Sequence, residues 1–248
     1  INNIFSDLKG FFPNYFGVQR FGAVRPITHI VGEKIVHGDY EGAVLDYLTL
    51  GSPNFADHEG REYLSRTRDF VKSLEKFPPH MLFERQLLGH LSRNADDYTG
   101  AILQLPETLS KMLVHGYQSL IFNKVLDMRI REGIDACLPQ IGDYVMPADG
   151  YGGPDQRVTI EVTKRNQSKL SKRCREGKAW VAGLLPGAKS SFSKGIQGEL
   201  EKEVMDEFGV KFGDFVIDEI PELSSYGMYR PLFQKYNDIE VDFDSEGP

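Results

Sequence analysis

Residues able to do chemistry are unevenly spread along this sequence of 248 residues. The densest cluster is residues 164–178, where Lys164, Arg165, Lys169, Lys172, Arg173, Arg175 and Lys178 face Glu176 alone, a net +6 over fifteen residues. The whole chain carries −7, so the remainder carries −13. Such separation suits one face that meets a polyanion and another that stays hydrated; a plain solvated helix face accounts for it equally well. The second cluster is residues 13–22, where Asn14, Gln19 and Arg20 alternate with Tyr15, Phe16 and Phe21.

Other chemistries find no support. Gly187-Ala188-Lys189-Ser190 lacks the Gly-Lys step and the upstream glycine of a phosphate loop. The glycines at 150, 152 and 153 open no helical pattern, so no dinucleotide fingerprint is read there. The six histidines (29, 37, 58, 80, 90 and 115) show neither HExxH nor any paired metal spacing, and each reads as structural. No nucleophile elbow occurs. Cys137 and Cys174 are the only cysteines and lack CxxC spacing, which predicts unpaired thiols in a reducing, cytoplasmic setting. No apolar stretch approaches the roughly 20 residues needed to span a membrane, and no signal-peptide pattern opens the chain.

The elements that must position these groups are mostly helical in the first half. Residues 3–22 are rich in aromatics and punctuated by glycine and Pro13, which predicts a structured loop leading into a short helix. Asp39 suits the N-cap of a helix reaching Leu50. Asp57 is expected to cap a second helix with Tyr63, Leu64, Phe70, Val71 and Leu74 inward, closed by Pro78-Pro79. A third helix is expected over residues 81–91. The clearest period runs over residues 107–132, with Leu109, Met112, Leu113, Tyr117, Leu120, Ile121, Val125 and Met128 at i, i+3, i+4 spacing. Pro106 starts this helix and Gly133 ends it. Short strands are expected at residues 142–146 and 158–162, then a basic helix, a buried strand over 179–185, and an amphipathic helix over 197–208 with Gly209 at its end. The sum is an α+β chain.

Four blocks of residues resemble the TruD family of tRNA pseudouridine synthases. Residues 13–22 resemble its NxFxxQRFG signature, and Arg25-Pro26, Thr28-His29 and Val31-Gly32 continue as in archaeal-type members. Leu105-Pro106-Glu107-Thr108-Leu109, His115-Gly116-Tyr117-Gln118-Ser119 and Phe122-Asn123-Lys124 resemble a second block. Val162-Thr163 through Asn166, Gly177-Lys178-Ala179 and Leu185-Pro186-Gly187 resemble a third, and Gly227 with Arg230-Pro231-Leu232 a fourth. They follow the family's order over nearly the whole chain.

The resemblance implies isomerisation of a uridine in tRNA, uridine 13 by analogy, with no cofactor, no metal and no obligate protein partner. It implies a nucleophilic aspartate upstream of Ile1, so that no catalytic residue lies in the chain and the fragment alone is expected to be inactive. By the same analogy, residues 1–31 and 223–248 are catalytic-domain segments and residues 32–222 an insertion domain. Asn14, Phe16, Gln19 and Arg20 become substrate-binding residues: Phe16 to stack on or floor the flipped base, Asn14 to read a uracil edge or brace the aspartate loop, and Arg20 to reach a phosphate. Tyr15 is expected to pack. The six cations from Lys164 to Arg175 become RNA-binding residues, and Arg129 and Arg131 either touch the tRNA backbone or complement the end of their helix. Two further readings stand beside this one: a non-catalytic RNA-binding module, and a small-molecule enzyme on an α+β scaffold.

Overall fold

Ten α-helices, two short 3-10 helices and six strands form among residues 10–51, 58–135 and 137–236, the residues described by this computed structural model. The N-terminal part is helical after one strand: β1 (Phe11–Pro13), α1 (Val18–Phe21), α2 (Thr28–Val36), α3 (Tyr40–Thr49), α4 (His58–Thr67), α5 (Phe70–Lys76), α6 (Leu82–Leu91), α7 (Tyr98–Ile102) and α8 (Glu107–Arg131). The rest is mixed: β2 (Tyr144–Pro147), β3 (Ile160–Glu161), α9 (Gln167–Arg175), β4 (Ala179–Leu185), α10 (Gly195–Glu207), β5 (Met228–Pro231) and β6 (Phe233–Lys235). The α+β expectation is met.

The long helix α8 is the spine because it has buried side chains on more than one side. Leu113, Tyr117, Ile121 and Val125 join a helical core with α2, α3, α6 and α10, while Phe122 and Leu126 join a second core under the sheet. The simple apolar stripe therefore understates its burial: Gly116, Gln118, Ser119 and Arg129 are buried as well, and Met112 is exposed. Helix α2 lies against α8 at glycine contacts. A Cβ on Gly32 would stand 2.0 Å from the Leu113 carbonyl oxygen, and one on Gly116 2.8 Å from the Thr28 methyl.

The four-stranded sheet is antiparallel in the order β3-β2-β4-β5, with Tyr144 opposite Ala182 and Gly183 opposite Arg230. Strands β1 and β6 form a separate antiparallel pair, Phe12 opposite Gln234. Residues more than 200 positions apart in sequence thus meet, and Asn14 follows directly on that pair, its backbone N–H donating to the Leu232 carbonyl at 2.9 Å.

Several boundaries differ from expectation for local reasons. The helix expected across Tyr63 to Leu74 is two helices, because Arg68 turns to φ 54° and Asp69 caps α5 by accepting from the Lys72 N–H. Val71 then faces solvent rather than inward. Asp57, expected as a cap, lies outside the described residues. The strand expected over 158–162 shrinks to β3, since Val158 is exposed. Helix α2 and strand β1 were not among the expected elements: Thr28, Val31, Gly32, Ile35 and Val36 do fall on one helical face of α2, whereas β1 needs its partner β6, far away in sequence. The predicted caps at Asp39, Pro106 and Gly209 are met: Asp39 accepts from the Gly42 N–H at 2.8 Å, Pro106 precedes α8, and Gly209 takes φ 62°.

Arg129 is corrected outright. It is fully buried and forms a two-pronged pair with Asp143 at 3.0 and 2.7 Å, with a third bond to Gln197 at 2.7 Å. It fastens α8 to the loop before β2 and to α10 and reaches no RNA. Arg131 is exposed and pairs with Asp127 one turn earlier.

Candidate active site

The loop from Asn14 to Arg20 is pinned at two points. Asn123, on α8, clamps the Phe16 backbone from both sides, accepting from its N–H at 2.9 Å and donating to its carbonyl at 3.0 Å. Asn14 is fixed at the other end. Its side-chain N–H donates to the Pro231 carbonyl at 2.8 Å, and its Oδ1 accepts from Arg230 Nη2 at 2.7 Å. The Asn14 side chain is buried and engaged with the protein, so it braces β5 against the loop. Tyr15 is exposed rather than packed.

Phe16 is half-buried. Its ring meets Phe122 edge-on, with centroids 5.6 Å apart. The Arg230 guanidinium lies 4.1 Å from the same ring centroid, and the Arg20 guanidinium 5.0 Å from it. Two cations on one ring, each attracted by its quadrupole, is an arrangement water screens poorly when the groups are partly desolvated. Burial first, and Arg20 second, lower the pKa of Arg230; a guanidinium stays charged under such a shift.

These groups open onto a cavity of about 270 Å³. Phe16, Arg20, His115, Ser119, Leu185 and Arg230 supply much of its wall, and Gln118, Gln156 and residues 225–229 complete it. Each of the four sequence blocks contributes: Phe16 and Arg20 from the first, His115 and Ser119 from the second, Leu185 from the third, Gly227 and Arg230 from the fourth. The last two are locked together. Ala188 N–H donates to the Ser225 carbonyl at 2.7 Å, Gln118 donates to the Ser225 hydroxyl at 2.7 Å, and a Cβ on Gly187 would stand 2.1 Å from the Gly227 nitrogen. Gly227 itself takes φ 82°.

His115 sits at the cavity rim. Desolvation, and then the Arg20 and Lys111 cations, lower the pKa of its imidazole, which favours the neutral ring that donates from one nitrogen and accepts at the other. The cavity thus offers an aromatic ring, two cations and neutral polar groups, a set suited to a planar base carrying anionic phosphate.

Not every expected residue comes here. Gln19 is exposed and lines a neighbouring open cleft with Gly17, Val18, Arg20 and Met112. None of the six expected RNA-binding cations borders the Phe16 cavity. Lys164 and Arg165 sit in the turn before α9, and Lys169, Lys172, Arg173 and Arg175 on that helix, which buries Leu170 and Cys174 in the sheet core and leaves its charged side outward. Among the described residues no group of side chains could hold a metal, and no helix is long and apolar enough to cross a membrane. Both cysteines are unpaired, and burial pushes the Cys174 thiol up to about 12. Arg230, His115, Gln118 and Ser119 were not singled out from the sequence, although each lies inside a block that was; Gln156, Ser225 and Tyr226 carry no sequence signal at all.

Comparison with known proteins gives a consistent answer. The family model described as tRNA pseudouridine synthase D (TruD) matches residues 1–247. A "Probable tRNA pseudouridine synthase D" of Methanosarcina barkeri is 40% identical over 222 residues, 89% of this chain and 51% of that protein. The protein of the same description in Methanosarcina acetivorans is 37% identical over 243 residues, 97% of this chain and 55% of that protein. A crystal structure of the putative tRNA pseudouridine synthase D from Methanosarcina mazei superposes with a TM-score of 0.88 at 38% identity, covering 93% of this chain and 53% of the other. The chain spans about half the length of the curated relatives it matches.

Proposed function

The chain belongs to the TruD family of tRNA pseudouridine synthases, and on that premise we propose that it forms the substrate-side wall of an enzyme isomerising a uridine of tRNA, uridine 13 by resemblance. The observation that carries the reading is the convergence of four separated sequence blocks on one cavity around Phe16. The reaction breaks the N1–C1′ bond, turns the base, forms C5–C1′, and releases the C5 proton to solvent while N1 gains one. No electrons are exchanged, so the chemistry calls for no redox group.

The base must leave its stack to be reached, and an aromatic ring can replace the lost contact. Phe16 offers such a ring, held in place by Asn123 and Phe122. Asn14 acts by bracing Arg230 beside that ring, and Arg20 flanks it. Gln19 is placed to meet RNA outside the cavity. The aspartate that attacks C1′ is supplied by a segment outside the 248 residues, consistent with coverage of about half of each relative. The exposed cations of α9 and its leading turn contact the tRNA backbone, in a cytoplasmic protein. Residues 1–31 and 223–248 belong with that outside segment in a catalytic unit, the pairing of β1 with β6 supporting their association; residues 32–222 form the insertion.

The test is tritium release from tRNA labelled at uridine C5 by the complete gene product. One tritium lost per tRNA, with pseudouridine at a single site, is the expected result. Tight binding with no release by the complete protein would instead favour a non-catalytic RNA-binding module.

A further inference from the structure

We propose that Arg20 and Arg230 together form a phosphodiester clamp beside the Phe16 ring, gripping a backbone phosphate that flanks the flipped nucleotide. The inference rests on the functional reading above and deepens it.

The geometry sets these two arginines apart from the ion-paired arginines inside the protein. Arg25, Arg61 and Arg129 are shielded from water, and each meets a carboxylate, Glu84 for the first two and Asp143 for the third. Arg20 and Arg230 meet none among the described residues. Arg20 directs no side-chain hydrogen bond to any of them, and Arg230 spends only Nε and Nη2, on the Asn14 carbonyl and Oδ1. Its Nη1 remains uncommitted. Both guanidiniums border the same cavity and approach the same ring, so two positive charges are held near each other at some electrostatic cost. A single anion between them would relieve that cost and satisfy the open donors.

RNA supplies one kind of anion, the phosphodiester, and a planar guanidinium fork matches its oxygens. A nucleotide whose base lies on Phe16 carries phosphates on its 5′ and 3′ sides within reach of groups on the rim. The wall itself offers no competing negative charge: its remaining polar residues are neutral. The bland alternative is that the arginines merely pack on the ring; packing alone leaves the Arg20 donors and Arg230 Nη1 without a role.

The experiment measures tRNA affinity of the complete gene product against substrates carrying one uncharged methylphosphonate 5′ or 3′ of the target uridine. Wild-type protein is expected to bind one of the two modified tRNAs at least about ten-fold more weakly, the loss of a charge-assisted contact. R20Q should weaken binding to unmodified tRNA similarly and flatten the salt dependence by about 0.7 in the log–log slope. On the sensitive methylphosphonate substrate R20Q and R230K should cause less than about two-fold further loss, since the contact is already gone. The clamp is overturned by wild-type affinity that ignores both methylphosphonates, or by losses that multiply. Misfolding of a variant cannot imitate the result, because the methylphosphonate arm uses wild-type protein. A wild-type protein that isomerises unmodified tRNA yet shows neither effect removes the clamp alone. One that neither binds nor isomerises tRNA removes the functional reading and the clamp with it.

Discussion

The Arg230 guanidinium lies 4.1 Å from the centroid of the Phe16 ring, and it is held there by Asn14 Oδ1 at 2.7 Å. Asn14 and Phe16 are two residues apart; Arg230 comes from the far end of the chain, across the sheet from Gly183. This relationship converts a short motif into a site. Replacing Asn14 with alanine removes the brace while leaving Phe16 in place. Turnover by the complete protein should fall about ten-fold or more, the scale of one hydrogen bond to a charged group. Asn14→Asp, which keeps an acceptor at the same place, should recover part of it. Equal losses in both variants would show that the brace is not what Asn14 provides.

Phe16 gives a second expectation. Base–aromatic stacking contributes about 1–3 kcal/mol per base by alanine substitution. F16A should therefore lower kcat/KM by about five- to 150-fold, whereas F16Y, which keeps the ring, should stay much closer to wild type. Single-turnover kinetics with labelled tRNA would separate this from a change in affinity of the whole tRNA, which many backbone contacts share.

The buried Arg129–Asp143 pair is structural, so its loss should be read in stability. Arg129→Leu leaves Asp143 charged and fully buried without its partner, a change that costs about 3–5 kcal/mol. Urea unfolding should show a lower midpoint with an unchanged slope. A midpoint within error of wild type would mean that the ion pair is dispensable.

Close helix approach predicts a similar but smaller penalty at Gly32. Its missing Cβ would collide with backbone, which cannot swing aside as a side chain can. Gly32→Ala should destabilise by about 1–3 kcal/mol, the range for overpacking, and should separate α2 from α8 without touching the cavity. Gly89→Ala is the control: open space surrounds that position, and alanine is the better helix former.

His115 gives a pH expectation with a definite sign. Its folded pKa is lowered by desolvation and then by Arg20 and Lys111, so the unfolded chain binds this proton more readily. Its contribution leaves stability untouched above about pH 6.5, the unperturbed histidine value, and becomes a growing penalty as pH falls below it. The stability of H115Q relative to wild type should therefore rise on acidification. An NMR titration of the His115 ring should place its midpoint below 6.5; a midpoint above that value would contradict the electropositive rim.

Much of the helical framework was legible in the sequence, because caps and apolar period are local signals. Asp39, Pro106 and Gly209 mark real boundaries. The break at Arg68 was not legible, since it needs a non-glycine residue at positive φ. Nor was the burial of Arg129, which depends on Asp143 and Gln197 arriving from other elements. For the site, the motif residues Phe16 and Arg20 were readable from resemblance, and they do line the cavity. Arg230 was not, because nothing in Arg230-Pro231-Leu232 says that its guanidinium lies against the Phe16 ring. The basic stretch was visible as charge, yet charge alone does not tell that it lies away from the Phe16 cavity.

The wall around Phe16 is proposed to receive a uridine for isomerisation. Tritium release from C5-labelled tRNA by the complete gene product, wild type against F16A, tests it most directly. Wild type is expected to release one tritium per tRNA, and F16A to release it about five- to 150-fold more slowly. No release by wild type, or equal rates for the two proteins, would contradict it.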